Sequence, residues 1–127
     1  MPVRGVRGAI DVASNSKEEI LSKTRTLLEA MVRENKVKAA DVATAIFSLT
    51  PDLNAEFPAI AARQMGWAEV PLMCAAELGV PDAMQKVVRI LLLVNTKTPA
   101  AKIRHQYLGA TPRLRPDLAR KGPKGDR

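Results

Sequence analysis

The pattern of hydrophobic and polar positions begins with a strand and a helix. The segment "PVRGVRGAIDV" alternates and is rich in β-branched residues, which predicts a first strand. Apolar residues then recur at helical spacing from Ile20 to Val32. Before them, "SKEE" predicts a capping box in which Ser16 accepts from the Glu19 amide while Glu19 reaches back. A long helix is therefore predicted from Ser16 to about Asn35.

The rest of the pattern predicts four more strands and two short helices. After a turn of helix at residues 39–41, the segments read in order as strand "DVATAIFSLT", helix "PAIAARQM", strand "AEVPLMC", irregular connection "AAELGVPDAM", strand "KVVRILLLVN", short helix "PAAKIR" and strand "HQYL". This order favours an α/β (α+β mixed) fold, with a mixed five-stranded sheet packed on one long helix plus short helices. The aliphatic fourth strand is expected at the centre of the sheet, buried on both faces.

Composition narrows the class of protein. The chain has 127 residues, 46% hydrophobic and 26% charged, which suits one soluble globular domain. No apolar run approaches the ~18 residues of a membrane helix, and the start "MPVRGVRGAI" lacks a signal core. Cys74 is the single cysteine, so an internal disulfide is excluded and a reducing cytoplasm is expected. With His105 as the single histidine, no metal site is expected.

The net charge of +7 raises a nucleic acid as one alternative partner. Part of this charge lies in the segment "RPDLARKGPKGDR" at the C-terminal end. We expect a domain over residues 1–118 and a basic, flexible tail over residues 119–127. Aromatic residues make up only 3%, and no helix-turn-helix, RRM or KH signature is present, so no nucleic-acid partner is expected.

Arginines on apolar strands are the strongest candidates for chemistry. No phosphate-binding loop, G-x-S-x-G or H-E-x-x-H motif occurs. Arg89 shares a strand face with large aliphatic residues, where a charge is costly unless it is paired or used. For Arg89, a structural ion pair with Glu77 and a functional cation are equally good interpretations. Arg7 has a similar setting, but from the residues alone it reads best as an exposed arginine at the end of a strand. Two arginines on partly apolar strands can alternatively clamp an anion. From the residues alone, Cys74 reads best as a small buried hydrophobe and Tyr107 as rim packing.

Six segments together resemble the AroH-class chorismate mutases. In order and with similar spacing over residues 2–118 they are "VRGVRGAI", "TPDLNAEFPA", "VPLMCAAEL", "VVRILLLVNT", "IRHQYL" and "LRPDL". The resemblance implies a cofactor-free isomerase that converts chorismate to prephenate for phenylalanine and tyrosine biosynthesis. It also implies a pseudo-α/β-barrel homotrimer with active sites in clefts between subunits, acting on a small dianion, with no membrane partner.

The resemblance carries over a set of site residues. The catalytic residues fall on Arg7, Glu77 and Arg89. The substrate-binding positions comprise these three and the residues that line or close the pocket: Phe57, Ala59, Arg63, Leu72, Met73, Cys74, Tyr107, Leu114 and Arg115.

The implied roles fit a pericyclic rearrangement, which needs no nucleophile and no proton transfer. Arg89 is expected to donate to the ether oxygen, where negative charge grows in the transition state. Arg7 and Tyr107 are expected to hold carboxylates of the substrate. Glu77 is expected to bind the ring hydroxyl, with Cys74 at the same polar end of the ring.

The remaining pocket residues are expected to shape the cleft and its mouth. Phe57, Ala59 and Leu114 would form apolar walls that favour the compact conformer of the substrate. Arg63 and Arg115 would add positive potential that attracts the dianion.

The sequence also departs from the family pattern. Some relatives carry a basic residue just after "FPA", where this chain has Ile60, and "RQMGW" is one residue shorter than in some of them. Both departures lie at the rim and bear on binding strength more than on the reaction. A catalytically silent trimeric module that binds a metabolite at its interfaces remains an alternative, because the same residues would serve it.

Overall fold

A computed structural model describes residues 1–114 of the chain. Within them, the strands are β1 (Val3–Asp11), β2 (Val42–Leu49), β3 (Leu72–Ala76), β4 (Val87–Asn95) and β5 (Gln106–Tyr107). The helices are α1 (Lys17–Asn35) and α2 (Ala59–Gln64), with 3-10 turns at Ala39–Asp41, Ala100–Lys102 and Thr111–Leu114. The predicted order of strands and helices is confirmed. None of the helices in this part of the chain is long and apolar enough to span a membrane.

The strands form one mixed sheet in the order β3-β2-β4-β1-β5. Its middle strand, β4, pairs antiparallel with both β1 and β2. The two edge strands run parallel to their neighbours, β3 to β2 and β5 to β1. The central place predicted for the aliphatic strand is therefore confirmed.

Helix α1 covers one face of this sheet. Its apolar stripe, which includes Leu27 and Leu28, is buried against the inward residues of β1, β2 and β4. The helix starts as predicted, because Ser16 Oγ accepts from the Glu19 amide at 3.2 Å. Glu19 Oε1 reaches back to the Ala13 amide at 2.9 Å, however, so the predicted return bond to Ser16 is wrong.

The other face of the sheet stays half-exposed in the single chain. Along β4, buried residues alternate with the partly exposed Arg89, Leu91 and Leu93. The expectation that β4 is buried on both faces is therefore wrong for one chain, because no helix in the described part packs on this side. Met73 and Val3, near the rim of the same face, are 55% and 50% exposed.

Three predicted boundaries are also corrected. The third strand begins at Leu72 and not near residue 68, because Pro71 has no N–H to give to a ladder. Its carbonyl accepts from the Ala45 amide at 3.0 Å, and pairing with β2 then continues as far as Ala76. Helix α2 starts one residue after Pro58, and "PAAKIR" forms only a single 3-10 turn. The predicted domain boundary at residue 118 and the tail over 119–127 lie outside the described residues.

Candidate active site

The half-exposed face of the sheet brings the two candidate arginines together. In the β1–β4 pairing, Ala9 stands opposite Arg89 and Arg7 opposite Leu91, so both arginines project from the same face. Together with Tyr107 of the edge strand, they line a cavity of about 380 Å³. Two guanidinium groups and a phenol that converge in this way can hold a small anion.

Glu77 joins this group from the end of β3. Its backbone amide donates to the Leu49 carbonyl at 2.9 Å, which continues the β2–β3 pairing. Its Oε2 lies 3.2 Å from Arg89 Nε and accepts from Ser48 Oγ at 2.6 Å. The ion pair that the sequence suggested as one interpretation of Arg89 is therefore confirmed as a contact.

This ion pair leaves Arg89 incompletely satisfied. Its Nε–H is buried and is not aligned for a hydrogen bond to Glu77 or to any other acceptor within residues 1–114. The Tyr107 hydroxyl is also buried and lacks a hydrogen-bond partner among these residues. Buried polar groups nearly always have partners in native proteins, so these two donors point to a polar ligand. We call Arg7, Glu77, Arg89 and Tyr107 the sheet-face cluster.

A second pocket lies between α2 and the edge strand β3. Its volume is about 420 Å³, and its lining contains six predicted substrate-binding residues together with Ile60: Phe57, Ala59, Arg63, Leu72, Met73 and Cys74. Phe57 is 67% exposed, while Ala59 is buried. Cys74 is a free thiol, partly buried against the core. We call this set the edge pocket.

Within one chain, the sheet-face cluster and the edge pocket are separate. The cavity at the sheet-face cluster and the edge pocket have no lining residue in common within residues 1–114. Of the other predicted residues, Leu114 ends the last 3-10 turn, and Arg115 lies outside the described residues. In the part of the chain that the structure describes, no three His, Cys, Asp or Glu side chains form a metal-binding group.

A third cleft, of about 430 Å³, adjoins Glu77 and Arg89 beneath the loop of residues 77–86. Asp52 anchors the end of this loop, since its Oδ2 accepts from the Lys86 amide at 3.0 Å. Burial raises the pKa of the Asp52 carboxyl, but bonds from the Thr50 hydroxyl and the Lys86 amide outweigh burial, so the pKa lies below its ordinary value.

Three further polar residues, not indicated by the sequence pattern, lie beside this site: Ser48, Thr50 and Asp52. Ser48 stands on β2 directly opposite Arg89, and Thr50 Oγ1 accepts from the Val87 amide at 3.1 Å. For Ser48, the one signal in the sequence is a serine within an otherwise mostly apolar strand. The other two follow from loop geometry, which the residue pattern does not encode.

The fold and these side chains define the class of protein, which is a small α/β protein with a basic, partly desolvated site for an organic anion. The family model described as chorismate mutase type I matches residues 3–118. The chain belongs to this family.

Individual relatives agree with that assignment. The chain is 45% identical to chorismate mutase AroH of Bacillus subtilis over 120 residues, covering 94% of each chain. It is 47% identical to chorismate mutase AroH of Thermus thermophilus over 117 residues, covering 91% of this chain and 96% of that protein. A chorismate mutase from Clostridium thermocellum has a similar structure, with a TM-score of 0.83 and 41% identity over 84% of this chain and 96% of that one.

Proposed function

We propose that this member of the family converts chorismate to prephenate, as a cytoplasmic homotrimer that serves phenylalanine and tyrosine biosynthesis. One observation carries the proposal: Arg7, Arg89 and Tyr107 converge on a single cavity beside Glu77. The reaction is an isomerisation in which one ether C–O bond breaks while one C–C bond forms. The tasks of the protein are therefore to select the compact conformer and to stabilise the charge that develops.

Arg89 has the central role in this proposal. Negative charge grows on the ether oxygen as the C–O bond breaks, and a fixed cation beside that oxygen stabilises the transition state more than the ground state. The Nε–H supports this role, because this donor is shielded from water and has no hydrogen-bond acceptor within residues 1–114. The rigid aliphatic strand β4 holds it in place.

The other members of the sheet-face cluster orient the substrate. Arg7 pairs with a substrate carboxylate through its planar fork, and the unsatisfied Tyr107 hydroxyl donates to a carboxylate. Glu77 accepts from the ring hydroxyl and faces the allylic fragment, which becomes electron-poor. Cys74 contacts the same polar end of the ring from the neighbouring subunit.

A complete site requires two copies of the chain. The sheet-face cluster of one subunit faces the edge pocket of the next, where Phe57 and Ala59 supply apolar walls and Arg63 supplies positive potential. The family resemblance assigns the closing of the cleft to Leu114 and Arg115, of which Arg115 lies outside the described residues. Two features support this arrangement: the two sets are separate within one chain, and the half-exposed aliphatic face offers a surface for a symmetric partner.

Subunit complementation tests the proposal. Arg89→Ala removes the cation of the sheet-face cluster, and Phe57→Asp places a negative charge in the edge pocket against the dianion. Each variant alone is expected to have little activity. After unfolding and joint refolding at equal ratio, about a quarter of the clefts receive an intact half from each variant, so activity should return.

Two controls make the complementation decisive. Sedimentation must show that each variant assembles as the wild type does, and mixing without refolding should give little recovery at first. Assembled mixtures that stay inactive would contradict a site shared between subunits.

A further inference from the structure

Ser48 lies beside Glu77 and Arg89, two of the three charged residues of the sheet-face cluster. It stands opposite Arg89 in the β2–β4 pairing and opposite Ala75 in the β2–β3 pairing, two residues before Glu77. Its hydroxyl donates to Glu77 Oε2 at 2.6 Å, and this same oxygen lies 3.2 Å from Arg89 Nε. A single carboxylate oxygen therefore faces both the hydroxyl and the guanidinium.

Of the two contacts, the bond from Ser48 is the better formed. Its length is typical of a hydroxyl that donates to a carboxylate. The Nε–H of Arg89, by contrast, is not aligned for a hydrogen bond to any acceptor among the described residues. Pairs of arginine and carboxylate are strongest when parallel N–H···O bonds form, so the hydroxyl holds Glu77 in an orientation that engages Arg89 only weakly.

We infer that Ser48 is a positioning residue for the rearrangement, an inference that rests on the proposed function. Its hydroxyl fixes the Glu77 carboxylate at the edge of the cavity. The carboxylate is thereby prevented from forming parallel hydrogen bonds with the Arg89 guanidinium. Arg89 thus keeps donors for the negative charge that develops on the substrate.

The inference predicts a specific pattern of variants. Ser48→Ala frees the carboxylate to pair fully with Arg89 and should lower kcat about 10- to 100-fold, the scale of a lost hydrogen bond to a charged group. Ser48→Thr keeps the hydroxyl and should restore kcat to within about threefold of wild type. The exposed Ser22 on α1 supplies a matched control, and Ser22→Ala should leave kcat unchanged.

A double-mutant cycle separates positioning from a merely structural role. If Ser48 acts through Glu77, Ser48→Ala should change kcat less than about twofold in a Glu77→Ala background. An equal loss in both backgrounds, or a Ser48→Ala variant with normal kcat, would overturn the inference while leaving the proposed function intact. Thermal melting of every variant checks folding, and the threonine variant still tests the hydroxyl if the alanine variant fails to fold. A wild-type protein without chorismate turnover would instead overturn the proposed function, and this inference with it.

Discussion

At the scale of single residues, Arg89 has both a structural partner, Glu77, and a proposed role as the catalytic cation. Its ion pair with Glu77 makes a guanidinium tolerable on an apolar strand, since an isolated charge there would be costly. The Nε–H nevertheless lacks a hydrogen-bond acceptor within residues 1–114. An ion pair and a catalytic cation are therefore compatible, because the contact with Glu77 offsets part of the cost of burying the guanidinium without occupying its Nε–H.

Replacing Arg89 tests the chemical task directly. Arg89→Ala should lower kcat by at least about 10²- to 10³-fold, the cost of losing one preorganised donor at developing charge. Arg7→Ala should mainly raise KM and lower kcat/KM, because it removes a carboxylate anchor. Steady-state kinetics on chorismate would measure both. A near-normal kcat for a folded, assembled Arg89→Ala protein would exclude the role.

The carboxyl group of Asp52 is expected to make the stability of the fold depend on pH. Since its pKa is lowered in the folded protein, the ionised carboxylate stabilises the fold at pH values above the ordinary pKa of 3.8. This stabilisation is lost as the pH falls through the lowered value. In thermal melts from pH 7 to pH 2.5, Asp52→Asn should be less stable than wild type near neutrality, and the difference should shrink in acid. A difference that does not change with pH would contradict this account.

At the scale of elements, the packing of α1 on β1 depends on Gly8. A Cβ atom at this position would lie 2.5 Å from Met31 Sδ and 2.9 Å from Leu27 Cδ1, so the helix rests directly on the strand backbone. A larger residue would crowd these two buried side chains and the backbone carbonyl of Gln106, which lies 3.2 Å from the same position, so the packing around β1 would have to shift.

Gly8→Ala should therefore lower the free energy of unfolding by about 1–3 kcal/mol, the usual cost of overpacking a core. Chemical denaturation followed by circular dichroism would measure this change. Gly79→Ala is the matched control, because its Cβ would meet only Pro51 Cγ at 3.4 Å. Equal effects at the two glycines would show that crowding is not the cause.

The elements also show how far the sequence determines the fold. Periodicity and capping predict α1, β1, β2 and β4 closely, because each has a strong local signal in its apolar spacing. The third strand is predicted to begin too early because Val70, buried in the bend before Pro71, has the apolar, β-branched character of a strand residue. The register that places Ser48 beside Arg89 is a long-range property that no local pattern contains.

At the scale of the whole molecule, the sheet face opposite α1 remains half-exposed in the described part of a single chain. It combines partly exposed aliphatic residues with the sheet-face cluster, whereas the edge pocket lies elsewhere. The sequence predicts the members of both sets through family resemblance, but residue spacing cannot show that they form two separate groups. A homotrimer that joins the two groups would bury this face and complete the site in one step.

Turnover of chorismate by the purified wild-type protein tests the central claim most directly. The loss of chorismate is followed by absorbance, and the product is identified as prephenate by chromatography against a standard. We predict saturable conversion to prephenate, at a rate that is proportional to protein concentration and that Arg89→Ala lowers by at least about 10²-fold. A folded protein that binds chorismate without converting it would contradict the account and identify a silent metabolite-binding module instead.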